Sequence, residues 1–150
     1  MITDLVAMEA ALEEGRKAGE AGEVPIGAVA VANGRFVGLG QNRVLRENDP
    51  TAHAEIVALR AAAAALGNYR LNGAILYVTL EPCAMCAGAM IHARIERLVF
   101  AATDPKAGAC GSVLSVLNHP GLNHRIEVEQ GILAEECGEL LRSFFRERRA

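Results

Sequence analysis

The 150-residue chain has no excess of positive charge: 15 Lys and Arg stand against 18 Asp and Glu, for a net charge of −3. That argues against a strongly basic nucleic-acid-binding surface. It leaves room for a local basic patch, because only the charge near a ligand matters. No apolar run approaches the roughly 20 residues a membrane span needs. The opening stretch MITDLVAMEA also lacks the basic start and continuous apolar core of a secretory leader. A cytoplasmic protein without membrane association is expected. Cysteine is sparse, with only Cys83, Cys86, Cys110 and Cys137. In a reducing compartment such thiols serve as ligands or core residues rather than disulfides. No repeat, low-complexity tract or Pro/Gly-rich linker divides the chain, so a single domain over residues 1–150 is expected, large enough to bury a core without staples.

What is present is ordinary in amount, at 51% hydrophobic and 22% charged residues, and informative in order. Thr3 or Asp4 can cap a first helix with Leu5, Met8 and Leu12 on one face, ending at Gly19 and Gly22. Two apolar stretches flank Asn33-Gly34, a strong hairpin signal. After a polar loop, Asp49-Pro50-Thr51 predicts the start of an alanine-rich helix ending near Gly67. Residues 74–80, AILYVTL, read as a buried central strand, followed by a helix over 83–92 that begins at the cysteines. Residues 97–102 read as another buried strand, 112–118 as a segment able to form a short helix, 125–130 as a fifth strand, and about 133–149 as an amphipathic helix. Strands alternating with helices indicate an α/β domain with helices on the faces of one sheet, and the β–helix–β order after residue 74 predicts parallel pairing there.

The chemistry concentrates at two helix starts, TAHAE (51–55) and PCAMC (82–86). A Cys-x-x-Cys alone is equally a structural zinc half-site, a redox dithiol or part of a catalytic metal centre. A helix N-terminus favours thiolate over thiol, and Cys83 and Cys86 sit three apart, on one helical face. His53 adds a neutral nitrogen, completing an N/S donor set for zinc. Three protein ligands leave one position open, the mark of catalytic rather than structural zinc. Glu55 is the candidate base, although a spacing of two does not share a face in a regular helix. Either the helix starts right there or His53 reaches in from its edge. A closed structural site would need a fourth ligand from Cys110, His92, His119 or His124. Cys110 reads better as a small buried hydrophobe, and Cys137 as core.

The pair H-x-E and P-C-x-x-C resembles the signature of the zinc-dependent nucleobase deaminases. Over nearly the whole chain, EVPIGAV, DPTAHAEI, NYRL, LYVTLEPCAMCAGAMIHARI, KAGACGS, HPGLNHR and QGILAEEC resemble the bacterial tRNA-specific adenosine deaminases. The resemblance implies a cytidine-deaminase-like, three-layer α-β-α fold with a five-stranded mixed sheet and helices on both faces. It implies hydrolytic deamination of adenosine to inosine at the wobble position of a tRNA anticodon, by a homodimer binding the anticodon stem-loop. One zinc per chain would be held by His53, Cys83 and Cys86, with Glu55 as proton shuttle. Asn42 and the backbone N–H of Ala54 would meet the target nucleoside. Asp104, Lys106 and Phe145 would contact the anticodon loop. Arg142, Arg146, Arg148 and Arg149, interleaved with Phe144 and Phe145, suit phosphate and unstacked bases, though arginines also complement a helix C-terminus. Two alternatives stay open: a deaminase of a free base or nucleoside such as guanine or cytidine, and a zinc-stabilised RNA-binding module without activity.

Overall fold

Asn33 and Gly34 both adopt left-handed backbone, φ 55° and 72°, as a tight two-residue hairpin requires. They join β1 (Gly27–Ala32) to β2 (Arg35–Gln41). The structure, a computed structural model, describes residues 1–149; Ala150 and the side chain of Arg149, one of the four arginines noted above, lie outside the described residues. The described residues form four helices and a five-stranded sheet: α1 (Asp4–Glu20), the hairpin, α2 (Ala54–Leu66), β3 (Ile75–Leu80), α3 (Ala84–Ala93), β4 (Arg97–Ala102), β5 (Glu127–Gln130) and α4 (Ala134–Arg149).

The sheet runs β2-β1-β3-β4-β5. β1 is antiparallel to both neighbours, whereas β3–β4 and β4–β5 pair in parallel, with Leu76 opposite Leu98 and Leu98 opposite Val128. Strand periodicity sends alternate residues to opposite faces. Ala28, Ala30, Leu76, Val78, Leu98 and Phe100 pack with α2 and α3 residues such as Ala58, Cys86 and Met90. Val29, Val31, Tyr77, Val99 and Ala101 pack with Met8 and Leu12 of α1 and Cys137 of α4. The expected three-layer architecture results, and Cys137 is core.

Several local expectations need correction. Of the first helix's apolar face, Met8 and Leu12 are buried but Leu5 is half exposed. Thr3 makes the cap, its Oγ1 accepting from Val6 N at 3.1 Å, while Asp4 turns to Arg97. The second helix starts at Ala54 rather than Asp49. Asp49 Oδ1 accepts the Thr51 amide and hydroxyl at 2.8 and 2.7 Å, and that local turn competes with helix. Residues 112–118 form no helix but a folded loop, with Val116 N donating to Ala109 O at 2.9 Å, because nearby amides are taken by a buried carboxylate described below.

Close backbone approach sets where α2 lies. A Cβ on Gly40 would strike the carbonyl of Ala54 and come within 2.6 Å of Ala58 N; one on Gly38 would strike the carbonyl of Ala58 and come within 2.8 Å of Ala62 N. Glycine on β2 therefore lets α2 lie against the strand backbone, fixing the helix start that carries His53 and Glu55.

Candidate active site

The carboxyl-end edge of β3 and the N-termini of α2 and α3 converge on one cleft of about 140 Å³. His53 is the N-cap of α2, with extended backbone (φ −69°, ψ 154°), and Glu55 is the second residue inside the helix. The spacing problem disappears because His53 lies outside the regular helix. Cys83 is likewise the N-cap of α3 (φ −78°, ψ 176°) and Cys86 sits in its first turn. Both caps lack a side-chain capping bond, leaving His53 and Cys83 free to face the cleft.

Among the described residues, His53, Cys83 and Cys86 form the one group of potential metal ligands, with all three donor atoms within 4.8 Å of one another. His53 Nδ1 lies 3.6 Å from Cys83 Sγ and 3.5 Å from Cys86 Sγ. A tetrahedral zinc with Zn–N of about 2.0–2.1 Å and Zn–S of about 2.3 Å requires an N···S edge of about 3.5–3.6 Å, so the donor set fits that ion. The fourth-ligand candidates stay outside the group. His119 Nδ1 accepts from Gly121 N at 3.0 Å, and His124 Nε2 is 2.7 Å from Ile95 O. Cys110 is partly buried against the core, and burial pushes its thiol up to about 12.

The electrostatics of the three donors are coupled, and they favour the thiolate at Cys83. Hydrogen bonding from Cys86, then from His53, pulls the Cys83 thiol down to about 3. The same bond with Cys83, together with burial, pushes Cys86 up. Contact with Cys83 raises His53, against the opposing effect of burial. Glu55 is only 4% exposed, and burial pushes its carboxyl up to about 7. A carboxyl near neutrality can both accept and release protons.

Most of the residues expected from the sequence line this cleft or its continuation. Asn42 is buried at the rim, its Oδ1 accepting from Val44 N at 3.2 Å. Ala54 opens α2, so its amide belongs to the first turn, where amides have no partner within the helix. Asp104 lies on the far wall and also lines an adjoining groove of about 800 Å³, which holds Lys106, Arg142 and the exposed Phe145. The C-terminal arginines have partners on their own helix. Arg142 pairs with Glu135 and Glu139, Arg146 with Glu139, and Arg148 stacks 4.3 Å over the Phe144 ring.

Glu23 and Glu81 are buried carboxylates to which the sequence reading gives no role. Glu23, fully buried, accepts from Leu45 N, Arg46 N and Arg46 Nε at 3.1, 2.9 and 3.1 Å. Arg46 in turn donates to the Asn42 carbonyl at 2.7 Å, which ties down that wall. Glu81 accepts from the amides of Asp104, Cys110 and Ser112 at 3.0, 3.0 and 3.1 Å and from the Ser112 hydroxyl. Burial works to raise both carboxyls, but these hydrogen bonds outweigh it and hold each below its ordinary value. The signal in the sequence is an acidic residue just ahead of a proline at an element boundary, Glu23 before Val24-Pro25 ahead of β1 and Glu81 before Pro82 after β3.

Comparison with known proteins agrees with this geometry. The family model for MafB19-like deaminase matches residues 2–149. The tRNA-specific adenosine deaminase of Bacillus subtilis is 49% identical over 149 residues, covering 99% of this chain and 92% of that protein. A solved structure from work on A-to-I editing by tRNA:A34 deaminases at the wobble position of transfer RNA is 51% identical, with a TM-score of 0.87 over 90% of this chain and 98% of that one. A guanine deaminase from Nitrosomonas europaea is 28% identical, with a TM-score of 0.85 over 96% and 85%.

Proposed function

This chain belongs to the family of tRNA-specific adenosine deaminases, and on that premise we propose that it converts adenosine to inosine at the wobble position of a tRNA anticodon. The observation that carries the reading is the donor triangle of His53, Cys83 and Cys86 beside the buried carboxyl of Glu55. His53, Cys83 and Cys86 would hold one zinc per chain. Zinc supplies Lewis-acid activation of water when bound. Glu55 takes a proton from the attacking water and delivers it to the purine ring nitrogen. It then carries a second proton to the departing amine, so water enters at carbon 6 and ammonia leaves. The Asn42 side chain and the Ala54 amide orient the nucleoside, and the apolar rim of Ile26 and Leu80 excludes water from the reacting edge.

The neighbouring groove receives the anticodon loop, with Lys106 near phosphate and Phe145 offering a stacking face. An anticodon loop is already single-stranded, so presenting its base costs little unstacking. The working unit is a homodimer. The apolar surface between α2 and α3, including Ile56, Ala63 and Ala89, is the face a second copy would cover. No helix among the described residues is long and apolar enough to cross a membrane, and we place the protein in the cytoplasm with its substrate.

Incubating the purified protein with an anticodon stem-loop bearing adenosine at the wobble position, and in parallel with free guanine and free cytidine, tests this. Inosine in the RNA and no product from the free substrates is expected. Turnover of guanine without turnover of RNA would overturn it.

A further inference from the structure

We propose that Glu81 is a positioning residue, setting the width of the cleft by fastening the 104–112 loop to the cysteine-bearing segment. The inference rests on the deaminase reading for its activity assay, but its structural content stands apart from that reading. Glu81 ends the apolar β3 run and is 3% exposed, where an ionised carboxylate is costly unless its oxygens are satisfied. Its Oε1 accepts from Asp104 N at 3.0 Å and from the Ser112 hydroxyl; its Oε2 accepts from Cys110 N at 3.0 Å and Ser112 N at 3.1 Å. Both ends of one loop therefore converge on a single side chain. The loop passes over that side chain at contact range, because any Cβ on Gly108 would collide with the carboxylate.

The backbone of the same segment completes the clamp. Glu81 N donates to Ala102 O at 2.8 Å, and Ala109 N donates to Pro82 O at 2.8 Å. The next residue is Cys83. One face of the clamp thus holds the metal-ligand rim, and the other presents Asp104 and Ala107 to the cleft and Lys106 to the groove. Glutamine at 81 keeps the shape but turns an amide NH2 toward donors that need an acceptor. The loop would then lose its fixed distance from the ligands while the ligands themselves remain in place. Such a residue acts through Asp104 and its neighbours, and its loss shows in substrate binding rather than in chemistry.

The test compares Glu81→Gln, Asp104→Ala and the double variant in the full chain, read by zinc content, by amide hydrogen exchange and by kcat and KM on the stem-loop. KM is expected to rise about tenfold in Glu81→Gln with kcat within about twofold, since uniform binding is what is lost. Zinc content should stay at the wild-type value, and the amides of Asp104, Cys110 and Ser112 should exchange at least about tenfold faster than in wild type. Asp104→Ala should cost less in the Glu81→Gln background than alone, because both act on one contact. Additive effects, an unchanged KM or loss of zinc in Glu81→Gln would overturn the proposal. Should Glu81→Gln fail to fold, Ser112→Ala removes only the hydroxyl bond to Glu81, and an unchanged KM there overturns it equally. If the wild type deaminates no RNA, the functional reading fails, while unaltered exchange in Glu81→Gln would refute the clamp alone.

Discussion

Replacing Gly40 with alanine should damage the active site from outside it. The new Cβ would lie 2.6 Å from Ala58 N and 3.0 Å from Ala58 Cβ, with the Ala54 carbonyl closer still. Ordinary non-bonded contact is about 3.5–4.0 Å, so relief demands that α2 retreat by about 1 Å. The obstructing atoms are mostly backbone, which cannot rotate away as a side chain would. Overpacking of this kind costs about 1–3 kcal/mol. For a chain of this size that lowers Tm by about 3–10 °C. The larger effect falls on chemistry, because His53 and Glu55 flank Ala54 at the end of the displaced helix. A misplacement of about 1 Å can cost about a hundredfold in rate. The assay is thermal unfolding alongside kcat/KM on the anticodon stem-loop, with Gly88→Ala as the matched control. Gly88 lies inside α3 with nothing within 4 Å of the place an alanine methyl would occupy, so alanine there should stabilise by about 0.5–1 kcal/mol. A Gly40→Ala protein with wild-type Tm and activity within about twofold would refute the claim that glycine on β2 places α2.

Glu55→Gln should retain zinc and fold while turnover falls by at least about 10²–10⁴-fold, measured by inosine formation; wild-type rates would remove Glu55 as the proton carrier. Elemental analysis should find about one zinc per chain, abolished in Cys83→Ala, and an active metal-free protein would sink the assignment. Asp4 predicts an acid-dependent contribution to stability. Its carboxylate accepts from Arg97 Nη1 and Nη2 at 2.9 and 2.6 Å and from the Tyr77 hydroxyl at 2.6 Å. The Arg97 bonds, then the Tyr77 bond, hold its pKa down to about 2. A depressed carboxyl stabilises the fold above its unfolded value of about 3.8, and that share is lost as pH falls from about 5 toward 2. Asp4→Asn should therefore cost about 1–2 kcal/mol at pH 7, after discounting for partial exposure, and almost nothing near pH 2. Equal penalties at both pH values in urea unfolding would contradict this.

Strand and helix order, the hairpin at Asn33-Gly34 and the buried central strand are legible in the sequence because period and turn chemistry are local. So is the meeting of His53, Cys83 and Cys86 beside a buried Glu55, because those residue types at two helix starts already offer possible metal donors and a titratable carboxyl. The start of α2 falls later than the pattern suggests, because Asp49 makes a local turn that residue types cannot distinguish from a helix cap. The expected helix over 112–118 fails for a non-local reason: Glu81, about thirty residues earlier, takes the amides of Cys110 and Ser112. The arginine-rich C-terminus does not announce its local partners: Glu135 and Glu139 on the same helix engage Arg142 and Arg146 through exposed ion pairs.

Glu23 and Glu81 also determine how the protein comes apart locally. Each fastens a stretch of cleft wall through amide bonds to one carboxylate, whereas β3 and β4 are held by extensive apolar burial. Detaching a wall exposes little apolar surface, so its opening free energy should depend only weakly on urea, in contrast to the strongly urea-dependent opening of the sheet. Hydrogen exchange at Leu45, Arg46, Asp104 and Ser112 would then follow a shallow local route at low denaturant, while Leu76 and Leu98 exchange only through global unfolding. The walls of the cleft can thus breathe on their own, over a core that remains closed.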